Sequence, residues 1–600
     1  MSKNKVILLS DRIEKEFLPF VRKPSRYIGG EINQLKKDLT KCDLTIALCF
    51  PDVYEVAMSY TGLAILYDII NKIEDVAAER LFTPWLDAEK ILRQKQIPLF
   101  TLESKAAAKS LDIIGFSLTN ELCYTNVLNT LDLAGLKVRA CKRNESQPLI
   151  IAGGSMANCC EPIADFIDLF VLGEAEETIL KLIELIRTEK KAGSTKKQLL
   201  LKAARKFNWV YVPSLYNFEY DGQKIKSFHP TSPDLPTKFK NAVVKDLDKA
   251  PVPLKPIVPF TQAVHERVSI EIMRGCPGRC LFCQATFCRR PVRCRSIETI
   301  VNTAKTCCQN TGFDTISLLS LSTADYPNLD QLVHKLHEYF KDKHVGISLP
   351  SLRVDKQLKL IPELVTSVRK SGLTIAVESA SEKIRQIINK PLKNSDLFAA
   401  VEAAYNAGWQ KIKLYFMIGL PTETENDIKQ IVNLSSQLAK LRKNVDGKTA
   451  QINITISFFV PKPHTPLAWL EQKPSTYFEN AKQLILDEKR NLNAKFLHFK
   501  FHDPNQSTLE SAIGRGDRRF SDIIESAWQN GAKFDLWSES FDYQIWQKAF
   551  ENCEMNIDTA AQRKFDLDEI LPFEHLRGPE KSYLLDHLQK AKKKAESEKI

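Results

Sequence analysis

No uncharged apolar stretch in these 600 residues is long enough to cross a bilayer, which argues against a membrane-spanning chain. No secretory segment is evident either. Residues 1–10 (MSKNKVILLS) hold too short an apolar core, and charges follow it. Fourteen cysteines without such a segment point to metal or thiol chemistry in a reducing cytoplasm rather than to disulfides. Six hundred residues exceed what one core supports, so two to four domains are expected. A net charge of +12 admits RNA or another polyanion as partner, although no stacking-aromatic motif accompanies the lysines.

What the chain does have is the run 273–284 (MRGCPGRCLFCQ). It places Cys276, Cys280 and Cys283 at C-x3-C-x2-C spacing, just after the β-type run 268–272. Four thiolates would close a [4Fe–4S] cluster, since each iron takes one cysteine; three leave one iron open. An open metal position is where chemistry takes place. Gly275 and Gly278 let the loop turn around a bulky group, and Phe282 shields it from water. The rival readings are a zinc site and a set of buried free thiols. A zinc knuckle needs a second His/Cys pair at a set distance, and none stands nearby in that form. Cys288 and Cys294 follow closely enough to keep zinc open. Cys159, Cys160, Cys307 and Cys308 read as small buried hydrophobes, with an auxiliary cluster as the alternative.

The cysteine spacing, with an aromatic residue just before the third cysteine, resembles the signature of the radical S-adenosylmethionine (SAM) superfamily. That resemblance implies a [4Fe–4S] cluster on Cys276, Cys280 and Cys283, and SAM bound at the open iron. It also implies reductive cleavage of SAM to a 5′-deoxyadenosyl radical and an external electron donor of flavodoxin or ferredoxin type.

Along the chain, an N-terminal extension (1–40) precedes a segment (41–200) in which short apolar runs alternate with helical stretches. The runs are 44–50, 113–118, 149–153 and 166–172. Such alternation predicts a doubly wound, Rossmann-like α/β domain. Its ligand face lies beyond the carboxyl ends of the strands, at 51–55, 117–120, 153–155 and 173–176. A linker region follows (201–255). Strand–helix alternation then resumes over 256–475, with candidate strands at 268–272, 315–319, 345–349, 373–377, 411–418 and 452–460. Six such strands suit a partial (β/α)6 barrel. Residues 476–600 are expected to form a mostly helical C-terminal domain.

The first α/β segment resembles the cobalamin-binding domain fused to many radical SAM proteins, through Gly153, Gly154 and the run 173–176 (GEAE). Cobalamin is therefore a candidate cofactor. The usual D-x-H-x-x-G motif is absent, however: Ala57 and Ser59 stand where its Asp and His would be. A structural or substrate-binding role for this domain is the alternative.

By the same superfamily resemblance, the ends of the barrel strands supply SAM contacts. Ser320 and Ser322 take the place that holds the methionine amine. Arg353 suits a carboxylate of SAM or substrate. Glu378 falls at the ribose position, and Gly419 gives close backbone approach to the adenine. His464, in the proline-stiffened loop 460–466, is a candidate to face substrate, against a structural role. Runs 24–31, 350–353, 414–421, 460–466 and 515–519 make the chain similar to YgiQ-like and methylthiotransferase-like radical SAM proteins. Its substrate is open: the basic charge, Arg515, Arg518 and Arg519 and the likeness to methylthiotransferases point to RNA or a ribosomal component, with methylation or methylthiolation as the reaction the resemblance implies; an intramolecular clamp of these arginines on Asp517 and neighbouring carboxylates is the alternative. The competing class is a non-catalytic iron–sulfur or zinc RNA-binding module.

Overall fold

The computed structural model describes residues 5–349, 373–576 and 578–597. A six-stranded sheet has the order β2-β1-β3-β4-β5-β6. Its members are β1 (Leu44–Phe50), β2 (Val76–Phe82), β3 (Ile113–Ser117), β4 (Leu149–Gly153), β5 (Leu169–Val171) and β6 (Val210–Tyr211). The first five run parallel and β6 antiparallel. All seven residues of β1 are buried, as expected of a strand covered by helices on both faces. The order places the topological switch between β1 and β3, where α/β sheets present their ligand crevice.

Strand β2 was not among the expected strands, because Glu79 and Arg80 interrupt its apolar run. Both are buried. The Arg80 guanidinium bonds Glu103 at 2.6 Å and Glu31 at 2.8 Å, which satisfies the charge without water.

After β6 comes the antiparallel hairpin β7 (Tyr216–Asp221) and β8 (Lys224–Pro230), held by stacked rings of Tyr216 and Phe228. The second α/β unit begins with β9 (Val268–Glu271) and the short pair β10 (Met273–Arg274) and β11 (Arg293–Cys294). It continues with β12 (Thr315–Leu319), β13 (Gly346–Ser348), β14 (Leu373–Glu378), β15 (Lys411–Ile418) and β16 (Gln451–Phe458). These include all six barrel strands expected from the sequence. A further strand, β17 (Leu497–Phe501), pairs parallel with β16 inside the segment expected to be mostly helical. The described strands form two parallel sheets, β13-β12-β9 and β14-β15-β16-β17.

Two large apolar clusters organise the molecule. One is the barrel interior, from Val268 to Leu497. The other runs from the first sheet into the C-terminal helices, so Leu509, Ile523, Trp546 and Leu588 belong to the same core as Leu44 and Ile113. The C-terminal helices therefore complete the first α/β unit, although the barrel separates the two in sequence.

Candidate active site

The cysteine loop starts where β9 ends, and β9 pairs in register with β12 through Glu271 and Leu319. The loop, Ser320–Ser322, Glu378 and Gly419 thus all stand at carboxyl ends of parallel strands, the end where barrels carry their chemistry. Gly275 opens the loop with φ +86°, and a Cβ there would meet the Arg289 carbonyl oxygen at 2.6 Å. The chain doubles back on itself so tightly that only glycine fits.

Cys276, Cys280 and Cys283 are half-buried. Their loop is pinned by groups that sequence reading did not single out. Arg290 donates to the Gly278 carbonyl at 3.1 Å, and Thr286 Oγ1 donates to the same oxygen at 2.8 Å. From the far side, the Leu281 N–H donates to the Ile388 carbonyl at 2.9 Å, and Asn389 Nδ2 donates to the Arg279 carbonyl at 2.9 Å. Arg290 lies seven residues past the last of these cysteines, so only the fold shows that it returns to them.

Burial pushes the Cys280 thiol up to about 11; Lys390 opposes this, while Cys283, Glu378 and Cys276 add to it. Burial also raises Cys283, against the pull of the Thr286 and Ala285 backbone N–H groups. Both thiols are therefore protonated near neutrality until a cation displaces the protons. Among the described residues, no three His, Cys, Asp or Glu side chains converge on a single-ion position. A cluster does not require that, since each thiolate binds a different iron.

Glu378 ends β14 with φ +69° and accepts from Lys390 Nζ at 2.7 Å. This pair is close enough for both members to act on the Cys280 thiol. Ser322 is buried and donates to Asp325 Oδ2 at 2.8 Å; Ser320 and Thr323 share a hydroxyl bond of 2.9 Å. Gly419 has φ +92°, and a Cβ there would strike the Phe478 ring at 2.8 Å. Its N–H donates to Glu423 Oε2 at 2.6 Å, and the Tyr477 hydroxyl donates to the same oxygen at 2.8 Å. Burial raises the Glu423 carboxyl to about 7, against those two bonds. Glu423 is a titratable group at this edge that sequence reading passed over. Arg353 lies outside the described residues.

The carboxyl edge of the first sheet faces the cysteine loop. Gly154, with φ +106°, packs so closely that a Cβ would meet the Leu118 carbonyl oxygen at 2.4 Å; Gly153 has ordinary room. In the run 173–176, Glu176 pairs with Arg274 at 2.6 Å, and Glu174 pairs with Arg293 at 2.7 Å. Those two arginines flank the cysteine loop, one just before it and one after.

His464 does not face an open pocket. Its ring nitrogen Nε2 bonds the Asn158 carbonyl at 2.7 Å, its ring lies against Phe573, and burial lowers it to about 4. Beside it, Lys462 bridges Glu121 of the first unit and Glu510 of the C-terminal helices. The arginines of the run 515–519 also turn inward. Arg515 donates to the carbonyls of Ala561 and Leu470 at 2.7 and 2.8 Å. Arg518 pairs with Glu161 at 2.9 Å, and Arg519 pairs with Asp517 at 2.7 Å. They form an intramolecular clamp, so the feature that suggested RNA does not present itself to a polyanion.

Two family models match the chain: one for radical SAM proteins, N-terminal, over residues 62–213, and one for the radical SAM superfamily over residues 270–435. The Methanocaldococcus jannaschii protein MJ0966, itself uncharacterized, is 25% identical over 80% of this chain and 90% of its own length. The ribosomal protein uS12 methylthiotransferase RimO of Desulfotalea psychrophila is 26% identical, but over only 36% of this chain and 47% of its own length. Among solved structures, the radical SAM methyltransferase TsrM of Kitasatospora setae, with cobalamin and a [4Fe–4S] cluster bound, superposes with a TM-score of 0.50. That match has 11% identity and covers 85% of this chain and 100% of TsrM. It speaks to a shared fold.

Proposed function

We propose that the chain is a radical SAM enzyme that binds a [4Fe–4S] cluster and SAM, with Cys276, Cys280 and Cys283 as the cluster ligands. The observation that carries this reading is their placement: three half-buried thiols in one pinned loop at the carboxyl end of the first barrel strand. The chemistry of the set fits the group, because three thiols leave one iron for another ligand. Held there, the cluster with SAM would supply radical chemistry for hydrogen abstraction from a substrate.

The chain's own residues position these groups. Arg290 and Thr286 hold the loop carbonyls still, and Lys390 offsets the negative charge that three thiolates bring. Ser322 donates its O–H to Asp325 in a hydrogen bond, so its oxygen is left as an acceptor suited to the SAM amine. Glu378, paired to Lys390 through Oε1, keeps its second oxygen for a ribose hydroxyl. Gly419 acts by shape, since its N–H is already given to Glu423. The reading is tested by anaerobic reconstitution with iron and sulfide, then addition of dithionite and SAM. 5′-Deoxyadenosine is expected; an intact cluster that yields none rejects the assignment.

For the first α/β unit we favour a role as a clamp on the barrel over cobalamin binding. Ser59 stands where a cobalt-ligating histidine would be, donating to the Glu55 carbonyl and accepting from the His265 N–H. At the switch point, Asn126 ties the Pro51 carbonyl to the Phe534 N–H, and Asp52 accepts from the Trp537 indole at 3.0 Å. The chain's own groups thus occupy the end of β1. Equilibrium dialysis with hydroxocobalamin tests this: retention by the full chain overturns it.

For the substrate class we propose a component of the translation machinery. Relatives named as uS12 and tRNA methylthiotransferases and the charge of +12 support this; the arginine clamp does not. Filter binding with total RNA across a salt series tests the RNA arm, because each neutralised phosphate makes affinity fall with salt. Absence of retention at low salt removes RNA and leaves a protein or small-molecule substrate.

A further inference from the structure

The helix Lys581–Ser597 lies beside the cysteine loop. It packs on the helix Glu382–Ile387, whose next residues, Ile388 and Asn389, hold that loop. The rings of Tyr583 and His587 meet at 4.5 Å, and both stand 6.4 Å from Phe287 in the helix Gln284–Cys288. Leu584, Leu588, Ala591 and Ala595 are buried and anchor the helix. The adjoining stripe carries His587, Lys590 and Lys594 at i, i+3 and i+7 spacing, one face of a helix. Lys590, Asp586, Arg279 and Arg290 all lie within electrostatic reach of His587, so arginines of the cysteine loop lie near the basic stripe.

That surface is strongly one-signed. Arg279 and Arg289 of the loop and Lys590, Lys593 and Lys594 of the helix are all exposed. The helix holds five lysines against one aspartate and one glutamate, and Asp586 is spent on Lys590 at 2.6 Å. Among the described residues, no carboxylate pairs with Arg279, Arg289, Lys593 or Lys594. Pro277 and Arg279 are exposed at the tip of the loop, so the thiols have their short route to solvent here.

We propose that this basic patch, made jointly by the cysteine loop and the helix Lys581–Ser597, is the docking surface for a small acidic one-electron carrier protein. The proposal rests on the cluster assignment above and adds where on this chain the electron donor meets that site. A carrier docked here would give one electron to the cluster held by Cys276, Cys280 and Cys283 and leave oxidised by one electron. A patch of one sign raises the encounter rate with a carrier of opposite sign by roughly ten- to a thousandfold, an advantage that salt removes. The position of the patch favours an electron carrier over RNA: it rings the point of entry to the cluster.

The test uses the full reconstituted chain and a variant, Lys590→Glu/Lys593→Glu/Lys594→Glu, whose changes are all exposed and all on the helix. Cluster reduction is followed by EPR, with purified flavodoxin hydroquinone or with dithionite as reductant. The expected result is that the variant's flavodoxin rate falls by about tenfold or more at low ionic strength, with dithionite-driven 5′-deoxyadenosine formation unchanged. The wild-type flavodoxin rate should fall as salt rises. An unchanged flavodoxin rate in the variant overturns the proposal, as does loss of total-RNA retention with the flavodoxin rate intact. Failure of dithionite with the wild type is a different outcome, which overturns the cluster reading and this proposal with it.

Discussion

Arg274 and Glu176 meet at 2.6 Å across the boundary between the two α/β units, and both are buried. Arg274 also holds Glu271 at 2.7 Å and Glu174 at 3.2 Å, so one guanidinium serves three carboxylates directly before the cysteine loop. Removing it leaves Glu176 buried without a partner, while Glu174 keeps Arg293. Arg274→Met is expected to cost about 3–5 kcal/mol, the usual penalty for breaking a buried pair from one side. Chemical denaturation of the purified variant measures it.

Each single change Cys276→Ala, Cys280→Ala and Cys283→Ala should remove the cluster, because two thiolates cannot hold four irons. Iron content after reconstitution should drop to background, and 5′-deoxyadenosine should vanish with it. Cys307→Ala, at a buried thiol in the helix Ile297–Thr311, should leave both unchanged.

The Gly153–Gly154 pair separates by φ. Gly154→Ala places a Cβ 2.4 Å from the Leu118 carbonyl oxygen in a left-handed conformation and should destabilise by more than about 1 kcal/mol. Gly153→Ala meets nothing nearer than 3.6 Å and should be nearly neutral. Thermal unfolding of the two variants distinguishes a packing role from a shared ligand-binding role, which would lower any ligand-dependent stabilisation in both.

Glu161 is held down to about 2 by Arg518, His575 and Tyr211, against the cost of its burial. A depressed carboxylate contributes stability that is fully present above its unfolded value near 4.5 and is lost as pH falls toward about 2. The contribution is roughly 3 kcal/mol, from the shift alone. Glu161→Gln should flatten the stability profile between pH 4.5 and 2, measured by urea midpoints across that window.

Glu423 behaves in the opposite sense. Its raised value near 7 means that the folded state keeps a proton the unfolded state has released. Wild-type stability should therefore decline as pH rises from about 4.5 to about 7 and stay lower above it. Glu423→Gln keeps an acceptor for Gly419 and Tyr477 without the charge, so the variant should gain on the wild type at pH 8 but not at pH 4. Denaturant midpoints at the two pH values read this out.

Much of this molecule was legible in sequence because its signals are local. The cysteine spacing, the β-type run before it and the repeated strand–helix rhythm lie in short windows, and the barrel strands expected from them are present. Strand β2 was hidden because its Glu79 and Arg80 look like solvent groups until Glu31 and Glu103 arrive from elsewhere in the chain. Strand β17 was hidden among charged helical segments and is fixed by pairing with β16. Two groups that pin the cysteine loop, Arg290 and Asn389, owe their role to return paths that no spacing rule encodes. His464 and the run 515–519 carry residue types that suggest chemistry, yet burial commits them to backbone carbonyls and internal carboxylates. Run 29–31 spells G-G-E, and its glutamate serves Arg80.

The shared apolar core of the first α/β unit and the C-terminal helices sets an order of events on the ribosome. The barrel encloses its own core between residues 268 and 497, so it can close while the chain is still growing. The first unit cannot, because Leu509, Ile523, Trp546 and Leu588 have yet to be synthesised. For that interval the cysteine loop stands uncovered by the helix that will later bring Tyr583 and His587 against Phe287. Nascent chains stalled with β17 outside the ribosomal exit tunnel and the segment after residue 503 still inside it should therefore have a protease-resistant barrel and a protease-sensitive first unit. Delivery of iron and sulfide has its widest access in that same interval.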